Sequence, residues 1–240
     1  MPAYLERANL HAAYETATRA VHRAGISDYE ILIATDPRPD GRDDGTSAIA
    51  DEIAQEDHKV RHVHYDRRVG LGYKYRNGVQ AATKDFVMMI PAHNLTLESS
   101  LDEILSYLGG ADSVITYTIN PETRPLKARV VSRGFVILCN LLFGLRMKYY
   151  NGITIHRKDL LKLVPMATDF SDYMAETIIY LVKSGVTYLE VPQALKPTTR
   201  TGKAFNLMSV WRSLKTLILL FWRIHFRRIR VPIPSPLNQN

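Results

Sequence analysis

Short apolar runs alternate along this chain with longer amphipathic stretches, and joints rich in Gly, Pro and Asp separate them. Leu10, Ala13, Tyr14, Ala17 and Val21 recur at helical spacing, which predicts a helix over residues 4–24. Residues 29–35 (YEILIAT) read as a buried strand, and the Asp-, Pro- and Gly-rich segment 36–45 as a loop. Helix resumes over 46–55, a second strand follows at 60–64, and a helix over 70–82 opens on the glycine turn Gly70-Leu71-Gly72. A third strand is expected at 85–90, a helix at 97–108 ending on Gly109-Gly110, and a fourth strand at 113–118. Farther on, the pattern predicts helix over 126–143, strands near 152–156 and 188–191, and helices over 171–183 and 206–230. Such alternation is the signature of an α/β fold, a mostly parallel sheet with helices on both faces.

At 240 residues the chain is large enough for one substantial core, and its 46% hydrophobic content reads as globular. The lone cysteine, Cys139, excludes an internal disulfide and any Cys-based zinc site; its apolar flanks make it a buried thiol rather than a nucleophile. No apolar N-terminal region reads as a signal peptide, and the longest apolar stretches fall short of the about 18–20 residues that span a bilayer. The net charge of +7 is uneven. After Glu190 there are nine Lys and Arg residues and no acid, so residues 1–190 hold 22 basic against 24 acidic side chains. Basicity thus belongs to the C-terminal part.

There the last helix places Arg212, Lys215, Arg223, Arg227 and Arg230 on one side. Trp211, Leu214, Leu217, Ile218, Phe221, Trp222 and Ile224 fall on the other. A cationic amphipathic helix with aromatic residues on its apolar face suits an anionic membrane interface; docking onto the domain's own core is the other reading. Nucleic acid is not an expected partner, because the aromatics lie opposite the basic face. The pattern divides the chain into a domain over 1–204, the basic helix at 205–230 and a tail at 231–240.

Candidate chemistry gathers at expected strand ends, where α/β sheets hold ligands. Asp36 ends the first strand; its carboxylate can accept from a base or ribose, or can shape the turn. Gly70 and Gly72 with Gly78 do not reproduce a dinucleotide fingerprint, since the last gap is six rather than three. Pro91-Ala92-His93-Asn94 ends the third strand, where His93 and Asn94 are either metal donors or polar loop residues. Asp172, Glu176 and Tyr180 share a helical face, ordinarily a solvated one. Arg200 and Lys203 around Gly202 could close over a diphosphate, or form a basic surface loop.

Taken in order, these segments resemble family 2 glycosyltransferases of the GT-A fold, and among them the polyprenol-phosphate (dolichol-phosphate mannose synthase-like) group. Pro2-Ala3-Tyr4-Leu5-Glu6-Arg7-Ala8-Asn9-Leu10 is similar to the family's nucleotide-binding turn, with Leu5 in place of Asn. Asp36 and Asp44-Gly45-Thr46 resemble its acidic segment, and Arg68-Val69-Gly70-Leu71-Gly72 its helix opening. Arg129-Val130-Val131-Ser132-Arg133-Gly134 and Glu190-Val191-Pro192 resemble two later motifs. The resemblance implies that Pro2, Ala3, Tyr4, Glu6 and Asp36 hold the nucleoside of a nucleotide sugar. It places Ala92 and His93 at the diphosphate, with His93 and Asn94 as candidate ligands of a divalent Mg or Mn ion. It has Arg200 and Lys203 close over phosphate, and these two with Glu176 of the 171–183 helix are the candidate catalytic residues. The implied reaction moves a sugar from UDP- or GDP-sugar to a polyprenol phosphate or other lipid-linked, cell-envelope acceptor, on the cytoplasmic face of a membrane. The alternative is an impaired relative that binds nucleotide sugar, or a membrane partner, without turnover. A nucleotidyltransferase would carry a Gly-Gly-x-Gly-x-Arg loop, which is not present.

Three departures stand out. Pro91-Ala92-His93 replaces the family's Asp-x-Asp, Arg200 and Lys203 are spaced differently around their glycine, and only Met1 stands where the family has a first strand. The expectation is therefore that the first strand is missing and that extending the chain upstream would stabilise it.

Overall fold

In the computed structural model, residues 1–197 and 207–233 are described. Strands β1 (Pro2–Ala3), β2 (Ile31–Thr35) and β3 (Val60–His64) form a parallel sheet, in register from Pro2 against Ala34 and from Ile31 against Val60. A second sheet contains β4 (Phe86–Met88), β5 (Ser113–Thr118), β6 (Thr154–Arg157) and β7 (Tyr188–Gln193), in the order β4-β6-β5-β7. β5 and β7 are parallel, but β6 runs antiparallel to both β4 and β5. The mostly parallel expectation holds, with β6 as the reversed strand of the second sheet. The reason lies in helix α5, defined below: it leaves from the end of β5 and returns the chain at that same end, with Thr154 opposite Ile115. A parallel neighbour needs a crossover back to the other end.

The helices are α1 (Leu10–Arg23), α2 (Thr46–Glu56), α3 (Leu71–Ala81), α4 (Glu98–Ser106), α5 (Leu126–Phe143), α6 (Lys158–Leu163), α7 (Tyr173–Lys183) and α8 (Leu207–His225). They cover both faces, and β5 shows it: Val114 enters a core with Ala20 of α1 and Leu101 and Ile104 of α4. Ile115, its neighbour, enters the opposite core with α3, α5, α6, α7 and α8. Cys139 is fully buried there, and burial pushes its thiol up to about 12, as the apolar flanks led one to expect.

Two local differences from the sequence pattern have clear causes. Helix α1 begins at Leu10 rather than at residue 4, because Pro2 and Ala3 pair with β2 and Leu5 then takes a left-handed turn at φ 54°. That conformation is costly for Leu and tolerated by Asn, the residue the resemblance places there. Short helix α6 went unseen because six residues carry too little periodicity to register.

The first strand is not absent but two residues long. Below it a cavity of about 710 Å³ separates β2 from β4, lined by Ile31, Leu32, Phe86, Met88, Leu108 and Ile155. The two sheets meet above it, where Ala92 N–H donates to Pro2 O at 3.1 Å. The Met1 amino group donates to Leu32 O at 2.6 Å, while Ala34 N–H donates to Met1 O at 3.0 Å, so Met1 already obeys the parallel ladder. Burial, with a smaller push from Lys74, lowers that amine to about 5.

Candidate functional site

The carboxyl ends of β1, β2 and β4 bring Ala3, Tyr4, Asp36 and Ala92–Asn94 to one rim. Asp36 is buried there and fully engaged. One oxygen accepts from Lys74 Nζ; the other accepts from Val69 N–H at 2.8 Å and from Arg68 at 2.5 Å. Lys74 also donates to Ala3 O at 3.2 Å, so it ties β1, β2 and α3 together. Burial pulls this ammonium below its ordinary value and Asp36 opposes the pull. The Arg68 guanidinium lies 3.6 Å from the centre of the Tyr4 ring, an arrangement that builds a flat, cationic platform. Glu6 is buried and accepts from Asn9 Nδ2 at 2.8 Å, and its backbone N–H donates to Thr46 Oγ1 at 2.8 Å.

The Gly70-x-Gly72 turn is explained by crowding. A Cβ on Gly70 would run into the Asp169 carbonyl oxygen, and one on Gly72 into that of Thr168. Gly72 N–H donates to Asp169 O at 2.9 Å, so it is not presented to a phosphate. Gly78 meets nothing within 4 Å and does not share this role.

Glu176 holds the other side of that contact. Its carboxylate is buried and accepts from Ala167 N–H at 3.1 Å and Thr168 N–H at 2.9 Å, with Arg223 of α8 at 3.5 Å. Asp172 accepts from Ser213 Oγ at both oxygens, and burial raises its carboxyl above the usual range. The solvated face expected for Asp172, Glu176 and Tyr180 is therefore corrected: all three are buried, because α8 lies over α7. Between the glycine turn and Asp169–Asp172 opens a cleft of about 640 Å³ lined by Arg67, Arg68, Tyr73, Phe170 and Arg212. Arg212 of α8 stacks on Phe170 at 4.9 Å.

The end of β4 does not fit a divalent metal. His93 Nδ1 accepts from Leu95 N–H at 3.3 Å, and Asn94 Oδ1 accepts from the Lys196 ammonium at 3.0 Å. Mg²⁺ and Mn²⁺ favour carboxylate oxygens, and none is supplied by Pro91-Ala92-His93-Asn94. No group of three His, Cys, Asp or Glu side chains that could hold a metal occurs among the described residues. Arg200 and Lys203, and the boundary at 204, lie outside the described residues. Sequence reasoning missed Lys74 and Lys196. A lysine between Tyr73 and Tyr75 reads as surface, and one before Pro197 as loop; only their tertiary partners mark them.

The last helix divides its apolar residues. Leu217, Leu220 and Ile224 are buried against the domain, whereas Trp211, Leu214, Ile218, Trp222 and Phe226 form an exposed stripe. Each of the two readings of this helix thus has its own set of side chains. No helix among the described residues is long and apolar enough to cross a membrane.

Residues 1–160 match the family described as Glycosyl transferase family 2. Among curated proteins, glycosyltransferase AglD of Haloferax volcanii is 28% identical over 141 residues, 56% of this chain but 22% of that relative. This chain therefore matches about a fifth of that protein's length. Among solved structures, glucosyl-3-phosphoglycerate synthase of Mycobacterium tuberculosis, in complex with Mn²⁺, UDP-glucose and phosphoglyceric acid, superposes with a TM-score of 0.67 at 18% identity. That alignment covers 92% of this chain and 77% of the other. Mannosyl-3-phosphoglycerate synthase of Rubrobacter xylanophilus gives 0.68 at 15% identity, over 98% and 76% of the two chains. At these identities the likeness carries the fold, and the GT-A expectation holds.

Proposed function

This chain belongs to glycosyl transferase family 2, and on that premise we propose that it transfers a sugar from a nucleotide-sugar donor to a lipid-linked phosphate at a membrane surface. The observation that carries the proposal is the cleft in which Arg67, Arg68 and Arg212 outnumber Asp169 and Asp172, with α8 as one wall. That same helix exposes Trp211, Leu214, Ile218, Trp222 and Phe226. Its neighbour α5, joined through a His225 contact to Leu142 O at 3.1 Å, exposes Leu126, Val130, Ile137 and Leu141. Apolar stripes of this extent beside a cationic cleft suit a lipid phosphate whose tail stays in the interface. The M. tuberculosis neighbour, solved with UDP-glucose and a phosphorylated acceptor, supports a nucleotide-sugar donor and an anionic acceptor.

On this reading the nucleoside rests at the rim of Tyr4, Asp36 and Arg68, and the diphosphate reaches toward Ala92–Asn94. An acceptor phosphate oxygen attacks the anomeric carbon. The bond from that carbon to the diphosphate breaks, and its electron pair leaves with the nucleoside diphosphate. A phosphate is already ionised near neutral pH, so no general base is required. Glu176 acts as a positioning residue, holding residues 167–169 against the glycine turn that floors the cleft.

The test is transfer of radiolabelled sugar from UDP- and GDP-sugars to polyprenyl phosphate in anionic vesicles. Labelled lipid from one donor is expected, and Arg212→Ala is expected to raise the acceptor KM. Binding of the donor with no transfer to any phosphate acceptor would favour the impaired reading.

A further inference from the structure

We propose that Lys196 supplies, at the end of β4, the positive charge that neutralises the donor diphosphate, and that this chain binds its donor without a metal ion. The inference rests on the donor-site reading above and deepens it. A leaving diphosphate needs a cation near its oxygens. The residues there include no carboxylate to hold a metal, and the Asn94 carbonyl oxygen is taken by an ammonium.

The placement of Lys196 is built into the backbone. After β7 the chain folds antiparallel to the segment that follows β4. Leu97 N–H donates to Ala194 O at 3.1 Å, Thr96 and Leu195 form a bridge, and Lys196 N–H donates to Leu95 O at 2.7 Å. Asn120 clamps the other edge, donating to Leu195 O at 2.8 Å and accepting from Leu195 N–H at 2.9 Å. Ala194 N–H is fixed by Ser100 Oγ at 2.9 Å. Lys196 therefore reaches Asn94 from a backbone held on both edges, and its side chain is half-buried.

Asn94 itself stands at φ 53°, a left-handed position that Asn tolerates, and turns its amide to the ammonium. An ammonium has three donors, and Asn94 Oδ1 takes one of them. The remainder suit phosphate oxygens, and the anchor on Asn94 lowers the entropy lost when they engage. Ala92 N–H on Pro2 O places this cation beside the β1 rim rather than on a remote surface.

The experiment is calorimetric binding of UDP, GDP, UMP and GMP to the full chain, in EDTA and then in Mn²⁺. Wild type is expected to bind one nucleoside diphosphate equally well in both. Lys196→Met is expected to weaken that diphosphate by about tenfold or more, the loss expected for a charged hydrogen bond, while the monophosphate changes little. Lys196→Arg should restore part of the loss, and Asn94→Ala, which keeps the charge but removes its anchor, should give an intermediate value. Diphosphate binding unchanged in Lys196→Met, or strengthened tenfold by Mn²⁺ in wild type, overturns the inference and leaves the donor site standing. No nucleotide binding to folded wild type overturns both.

Discussion

Gly70 is the residue whose replacement speaks most directly to how the site is built. Its Cβ position is filled by the Asp169 backbone, which has no side-chain freedom with which to yield. Gly70→Ala is expected to cost about 1–3 kcal/mol in urea denaturation. Gly78→Ala, in open space within α3, should instead stabilise by about 0.5–1 kcal/mol. Equal effects at the two sites would contradict the close approach. His156 gives a second test. It is fully buried with Nδ1 2.8 Å from Ser113 Oγ, and burial pulls its imidazole down to about 3. The unfolded chain binds a proton here from about pH 6.5 downward, and the folded chain does so only near pH 3. The folded value is the lower one, so stability falls as pH drops through that window, by up to about 1.4 kcal/mol per pH unit. His156→Asn should flatten that part of the profile between pH 7 and 5; an unchanged slope would show that the buried ring is not held neutral. Asp36 and the Gly70 turn were legible from the sequence because strand ends and glycines announce themselves. Lys74, which pairs with Asp36, and Lys196, which bonds Asn94, were not, because a lysine's partner is set by folding and leaves no local pattern.

Among the elements, the strands were read well: β5, largely buried, falls where its apolar run placed it, and so does β3, an edge strand with only Val60 buried. The direction of β6 could not be read, since strand sense depends on where a connection returns the chain. On α8 the apolar arc was legible, but not its division into a buried and an exposed half. Ile218→Asp with Trp222→Asp should abolish binding to anionic vesicles with little change in melting, whereas Leu217→Ala should cost about 2–4 kcal/mol. Vesicle binding that survives the double substitution would exclude the exposed stripe as the membrane contact.

At the scale of the molecule, the sheet edge that gathers Tyr4, Asp36 and Asn94 lies on the carboxyl side, as the α/β alternation requires. The glycine turn and residues 167–170 connect this rim to the cleft under Arg212. The basic excess after Glu190 then acts locally: Lys196 lies beside Asn94, Arg212 at the cleft, Lys215 on the outer face of α8, and Arg227, Arg228 and Arg230 just past its end. Salt should accordingly weaken vesicle attachment more than it weakens donor binding. The central claim is that the rim is a nucleotide-sugar site, and calorimetry of UDP-glucose and GDP-mannose with the full chain tests it most directly. The account predicts saturable, one-to-one binding of one of the two, displaced by the matching nucleoside diphosphate. A folded chain that binds neither sugar nucleotide, with or without Mn²⁺, would contradict it.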